Sequence, residues 1–426
     1  MMFTKVKEKL QALGCEMYEL TEMTVRAWEF YFIRHKLDQN RASCVKKLRV
    51  KVYRPLDEGK MLGSASGEIN PTASDEELDQ ALKNLYYQAS LVKNPAYTIT
   101  DIPIPAIDRN SVDVAAIAES FINAMQAVHE TETERINSYE IFVREIQKRF
   151  ENSNGVAFEV VYPDSMIEVV VNASKGEHEI ELYRNYKSGV CNGEKLKRDV
   201  ESALRFGKDR LIAEATPNLQ KSDVVFSTED AVQLYSYFAA RRNASMLVMK
   251  LSDWVRGKAV ADYTTGDRIS IFAKAALDNS SDSYPVDEEG ALIRERYLVR
   301  DGVAEEIWGN RQMSEYLGDK NNSIVHNFVV SGGTADEDVL HQGDYLELVE
   351  FSDFQVDEIG GDILGEIRLG YWHHDGKVDV ITGGSVSGTM QDAIPSMRCS
   401  KETEQYNNIV IPKETRLYNL TITGIR

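Results

Sequence analysis

Thr216-Pro217-Asn218, then Val224-Val225-Phe226, then Ser227-Thr228-Glu229-Asp230-Ala231-Val232-Gln233-Leu234-Tyr235-Ser236-Tyr237-Phe238 is the stretch that sets the architecture. The proline breaks a helical pattern running over 194–214, because it lacks the N–H that a helix needs. A short β-branched run follows and reads as a strand. A capped helix is then expected from about Ser227 to Arg241. The break marks a domain boundary at 216–222. The expected organisation is an α+β domain over 1–218 and a β-rich, mainly antiparallel domain over 219–426.

Upstream of that boundary the two periods alternate. Val6, Leu10 and Leu13 fall at helical spacing and Gly14 follows as a stop. Strand text runs through Trp28–Ile33 and again through Leu48–Tyr53, before a turn at Asp57-Glu58-Gly59-Lys60. Ser74-Asp75-Glu76-Glu77 has the form of a capping box. Behind it Leu78, Leu82, Leu85 and Ala89 make an apolar stripe. After Ile102-Pro103-Ile104-Pro105, a second stripe joins Val114, Ile117, Phe121, Met125 and Val128. Four short strands are then expected at 139–146, 156–162, 167–172 and 179–186.

Downstream, from Arg268 onward, strands and turns dominate. Asp301-Gly302 and Asp375-Gly376 lie between alternating runs and read as hairpin tips, since both residue types tolerate positive φ. Gly332-Gly333, Gly360-Gly361 and Gly383-Gly384 punctuate the same region.

The 426 residues suffice for two or three domains and need no metal or disulfide staple to fold. Forty-nine basic residues against sixty-eight acidic ones leave a formal charge of −19, which repels phosphate backbones. No direct nucleic-acid role is expected. No apolar run approaches the ~20 residues that span a bilayer, and the start lacks a signal-type apolar core. Cys15, Cys44, Cys191 and Cys399 are widely spaced and read as reduced thiols. A cytoplasmic protein that neither crosses nor binds a membrane is the expectation.

Several segments share an order and spacing with a known family. They are Pro285-Val286-Asp287-Glu288-Glu289-Gly290, Tyr297-Leu298-Val299-Arg300-Asp301-Gly302-Val303 and Phe354-Gln355-Val356-Asp357 with Gly361-Asp362. Gly384-Ser385-Val386-Ser387-Gly388 and Asn419-Leu420-Thr421-Ile422-Thr423-Gly424 follow. In the first half, Gly63-Ser64-Ala65-Ser66-Gly67, Asn94-Pro95 and Asn152-Ser153-Asn154-Gly155 fit the same order. Together they resemble the TldD/PmbA family, once called modulators of DNA gyrase. The stretch 316–327 departs from it, lacking the family's Thr-Gly-Asn-type loop.

The resemblance implies two related kinds of subunit acting as a pair on peptides and small unstructured proteins. One carries zinc on a His-Glu-x-x-x-His helix plus a later cysteine; the other lacks those ligands. The family's zinc helix corresponds to 229–238 here, which contains no histidine. No catalytic or metal-binding residue is therefore assigned in this chain, and zinc is expected only in a partner. Cys399-Ser400-Lys401 resembles the tail that supplies the cysteine ligand, but a lone thiolate cannot hold catalytic zinc.

Other candidate chemistry is weak. His129-Glu130-Thr131-Glu132-Thr133-Glu134 reads as a solvated helix end, and His373-His374 as exposed turn residues that cannot share an ion. Gly384-Ser385-Val386-Ser387-Gly388 has Val386 where a nucleophile elbow needs its serine. Asp287, Glu289, Asp362 and Ser385 are candidates for lining a peptide cleft, with turn capping as the alternative for the acids. The first reading is a subunit without zinc, of a peptide-degrading pair, dimeric with a zinc-bearing homologue or with itself. The alternative is a stand-alone homodimeric binding protein, for example a modulator of gyrase.

Overall fold

The computed structural model describes residues 2–107 and 111–425. Met1 and Arg426, the outer bounds of the two expected domains, lie outside the described residues.

The first half contains α1 (Met2–Ala12), β1 (Met17–Ile33), β2 (Lys36–Leu56), β3 (Met61–Ile69), α2 (Asp75–Ala89) and β4 (Asn94–Pro95). It continues with α3 (Val114–Gln126), β5 (Glu134–Asn152), β6 (Ala157–Lys175), β7 (His178–Ser188) and α4 (Gly193–Arg210). The strands form one antiparallel sheet in the order β4-β3-β2-β1-β5-β6-β7. Two helical pairs cover it. Phe3, Val6 and Leu10 of α1 join Leu78, Leu82 and Leu85 of α2 over Leu48, Val50 and Val52. Ile117 and Phe121 of α3 join Val200 and Leu204 of α4 over Ile141, Val143, Ile167 and Val169.

Local chemistry explains the boundaries. Ser74 accepts from the Glu77 N–H while the Glu77 carboxylate accepts from the Ser74 N–H, so the capping box forms in full. Gly63 is required by close approach, since a Cβ there would meet the carbonyl oxygen of Ala89 at 1.8 Å. Two expectations need correction. The segments 156–162 and 167–172 are one 19-residue strand, β6. Pro163 is tolerated inside it because it faces Glu145 of β5 beyond the point, Ser165, where β7 pairing begins. Helix α4 ends at Arg210, and Glu214–Ala215 is extended instead.

The second half contains β8 (Glu214–Ala215), β9 (Leu219–Phe226), α5 (Val232–Arg241), α6 (Ala244–Val248), β10 (Ile271–Lys274), β11 (Arg296–Arg300) and β12 (Val303–Ala304). Then come α7 (Arg311–Tyr316), β13 (Asn327–Val330), α8 (Glu337–Leu340), β14 (Tyr345–Val356), β15 (Asp362–His374), β16 (Lys377–Thr382) and β17 (Ser385–Thr389). The last elements are α9 (Met390–Ala393), β18 (Arg398–Cys399), β19 (Thr403–Tyr406), β20 (Ile409–Pro412) and β21 (Thr415–Thr423). A six-stranded sheet runs β12-β11-β10-β13-β20-β19, and an eight-stranded one runs β14-β9-β21-β17-β15-β16-β8, with β18 on β21. Pairing of β14 with β15 closes the larger sheet on itself. The mixed α+β architecture with predominantly antiparallel sheets matches the expectation.

Asp301-Gly302 (φ 48° and 72°) and Asp375-Gly376 (φ 49° and 71°) are the hairpin tips that their sequence requires. The helix after β9 starts differently from its expected form. Glu229–Ala231 makes a single 3-10 turn, and Thr228 in the cap position makes no cap bond. Leu234, Tyr235 and Phe238 of α5 are buried with Ile271 and Leu298 of one sheet and Val224 and Leu348 of the other. Val349 and Leu369 join the core beneath α3 and α4, so the two halves share apolar surface. No described helix is long and apolar enough to cross a membrane.

Candidate functional site

Between the halves lies a cleft of about 1440 Å³, larger than the usual small-molecule pocket. Its N-terminal wall is β7, from Tyr183 to Lys187, and the face of α4 carrying Arg198, Asp199 and Asp209. The opposite wall is the start of the α5 segment (Glu229, Asp230 and Gln233), with Glu347 and Glu350 of β14 and Thr403, Glu404 and Tyr406 of β19. Strands β7 and β19 terminate their sheets: among the described residues each pairs on one side only. Consecutive residues of β7 reach the cleft, as they do when a strand presents an edge and not a face. Such an edge offers unpaired backbone donors and acceptors to an extended chain.

Charged side chains tie the walls together. Arg184 Nη2 donates to Glu350 Oε1 at 2.6 Å, joining β7 to β14. Lys195 Nζ lies 2.7 Å from Asp199 Oδ2 and 3.5 Å from Glu404 Oε1, joining α4 to β19. Its ammonium also sits over the Tyr406 ring, 4.5 Å from the centroid. Tyr371 donates to Asp209 and Ser227 donates to Glu347, at 2.6 and 2.7 Å. The carboxylates of the cleft outnumber its cations. Enclosure in the recess lifts Glu229 to about 7 against the pull of Lys195, although by surface area the residue is exposed. Asp230 rises to about 6, again by burial and against Arg184. These groups can hold a cationic chain, but no activated nucleophile stands beside them.

The other face of α5 is where the resemblance implies zinc in related subunits. Here Tyr235 points inward, its hydroxyl 2.6 Å from Thr415 Oγ1 and 3.3 Å from Cys399 Sγ. Both Tyr235 and Cys399 are fully buried. Burial pushes the Cys399 thiol up to about 12, and α5 offers no histidine to share an ion with it. Among the described residues no group of three or more His, Cys, Asp or Glu side chains is arranged to hold a metal. The residues around Cys399 do not fit zinc.

The four residues singled out from sequence are not brought together, and none of them lines the cleft. Asp287 is buried and accepts from the N–H groups of Glu289, Ala291 and Ile324 at 2.8 to 3.0 Å. Glu289 accepts from the Arg311 N–H at 2.7 Å and lies 3.6 Å from Lys51. Asp362 opens β15 opposite Thr389 and is exposed. Ser385 pairs with Glu366 and Thr423 inside the larger sheet.

Two histidine readings also change. His373 is half-buried, stacked on Tyr345 at 4.2 Å and lining the cleft, while His374 bonds Asp379 at 2.8 Å. The segment 129–134 is a folded polar turn: Glu130 accepts from the Ile136 N–H at 2.6 Å, and Glu134 is buried among threonine hydroxyls. Sequence spacing missed Arg184, Lys195, Glu350 and Glu404. Only the adjacent acids Glu229-Asp230, at the start of a helix, were visible as a local signal.

Residues 219–424 match the family described as PmbA/TldA metallopeptidase C-terminal domain. No curated protein matches the chain. Among solved structures, TldE from Thermococcus kodakarensis is similar over 98% of this chain and 100% of its own, with 14% identity and a TM-score of 0.77. A protein described as a candidate modulator of a DNA gyrase from Thermotoga maritima has 15% identity, covering 99% and 100%, with a TM-score of 0.74. A counterpart from Bacteroides thetaiotaomicron has 17% identity, covering 99% and 98%, with a TM-score of 0.76. These likenesses concern the fold. Over residues 219–424 the chain carries a PmbA/TldA-type metallopeptidase C-terminal domain, and along its length it shares the fold of these structures.

Proposed function

We propose that this chain is the cytoplasmic subunit without zinc of a two-part peptidase, and that it holds extended peptides for a zinc-bearing homologue to cleave. The observation that carries this reading is the cleft bordered by the open edge of β7 and the acidic start of α5. Backbone pairing along β7 gives affinity without demanding a sequence, which suits unstructured peptide substrates. Glu229, Asp230, Glu347 and Glu404 favour lysine and arginine side chains in the bound chain. The partner supplies zinc, the activated water and the general base.

The test is a mixing experiment with a homologue carrying His-Glu-x-x-x-His, using unstructured cationic and anionic peptides of equal length. Hydrolysis that requires both chains, is stopped by a chelator and is faster on the cationic peptide supports the reading. A homologue whose rate is indifferent to this chain contradicts it.

A further inference from the structure

The C-terminal end of α5 runs into a second hollow, separate from the cleft at its start. Its volume is about 870 Å³, and four arginines, Arg242, Arg256, Arg294 and Arg296, contribute to its lining. Leu247, Ile307 and Leu317 supply apolar surface. The two outer arginines are engaged: Arg256 with Glu306, and Arg294 with Glu306 at 3.2 Å and Asp319 at 3.5 Å.

The two inner ones have no direct carboxylate bond, although Glu305, Glu306 and Asp319 line the same hollow. Arg242 is 2% exposed and donates to three backbone carbonyls, those of Glu306, Trp254 and Glu305, at 3.1, 2.8 and 2.6 Å. Arg296 is 5% exposed and donates to Asn322 Oδ1 and Ser323 Oγ, both uncharged. Its buried Nε has no hydrogen-bond partner among the described residues. A guanidinium stays charged in a protein, so burying two of them against neutral acceptors is costly unless an anion arrives. Burial first lowers both groups to about 10, aided by Arg256 at Arg242 and by Arg294 at Arg296, and opposed by Glu306 and Glu305 at the first and by Asp319, Glu306 and Asp287 at the second. This occurs in a chain whose formal charge is −19.

We propose that this hollow is a binding site for an oxyanion of the carboxylate or phosphate type, held by Arg242 and Arg296 within and by Arg256 and Arg294 at the mouth. All three nitrogens of Arg242 already bond carbonyls, so it supplies charge, while the unpartnered Nε of Arg296 and the planar guanidiniums at the mouth supply donors for the oxygens of such a group. The apolar wall suits a ligand whose anionic end is attached to a hydrophobic body, as at the C-terminus of a peptide. Free inorganic phosphate offers the same oxygens without that body.

The experiment follows the thermal midpoint of the full chain at constant ionic strength. The probes are inorganic phosphate, a short leucine-ending peptide with a free carboxylate, and its C-terminal amide. A saturable rise with phosphate or with the free carboxylate, and none with the amide, is expected; which anion acts identifies the source. The double variant Arg256→Ala/Arg294→Ala, both at exposed positions, should need about ten-fold more anion for half-saturation. Arg296→Met should abolish the response. The proposal is overturned if neither anion raises the midpoint beyond chloride, or if the double variant responds like the native chain. Because the double variant changes only the rim, the test stands even if Arg296→Met fails to fold.

Discussion

Arg184 on β7 donates to Glu350 on β14 at 2.6 Å, a bond between groups 166 positions apart that ties one wall of the cleft to the other. Glu350 is nearly buried, and Arg210 stands 3.8 Å from its second oxygen. Removing the cations' partner leaves two positive groups facing each other, whereas removing Arg184 leaves Arg210 to attend the carboxylate. Glu350→Ala should therefore cost about 2–4 kcal/mol and Arg184→Ala about 1–2 kcal/mol, read from chemical denaturation. Equal costs would show that the pair does not act as described.

Charge in the cleft should govern which peptides bind. Glu229→Lys with Glu404→Lys places two cations where the structure has acids beside Asp199 and Asp230. Binding of a lysine-rich unstructured peptide, followed by fluorescence anisotropy, should weaken about ten-fold or more, and its dependence on salt should flatten. A peptide that binds the reversed cleft equally well would place the peptide site elsewhere.

A second carboxylate cluster sets a pH dependence. Glu19 and Asp287 are buried where the first sheet meets the second half, and burial lifts them to about 7 and about 6. Both values lie above those of the unfolded chain, so the folded state binds the extra protons. Stability from these groups is full below about pH 4 and is lost as pH rises through 6 to 7. Glu19→Gln should remove part of that fall and raise stability at pH 8 by roughly 1–3 kcal/mol, partly offset by the lost attraction to Lys51 at 3.7 Å. Denaturant midpoints from pH 5 to 8 measure this; an unchanged slope would contradict it.

The thiols should divide by location. Cys44 is exposed, while Cys399 is fully buried against Tyr235 and raised to about 12. A thiol reagent should modify Cys44 in the native chain and reach Cys399 only on unfolding. Tyr235→Phe removes the 2.6 Å bond to Thr415 and should cost about 1–2 kcal/mol.

Local features were legible in the sequence because their physics is local. The Ser74 capping box, the Leu78-Leu82-Leu85 stripe and the Asp301-Gly302 turn each depend on neighbours a few positions away. Strand length was less legible. Pro163 reads as a break, yet it sits within β6 because its partner on that side has already ended. The cleft was least legible. Lys195 and Glu404, or Tyr235 and Cys399, meet only after two sheets are packed, and no spacing rule connects them.

The most direct test of the central claim is a zinc and peptidase measurement on the purified chain, alone and then mixed with a His-Glu-x-x-x-His homologue. An α5 without histidine and a Cys399 buried against Tyr235 predict sub-stoichiometric zinc and no hydrolysis from the chain alone, with chelator-sensitive cleavage once the homologue is added. One zinc ion per chain, together with chelator-sensitive hydrolysis by the chain alone, would contradict the account.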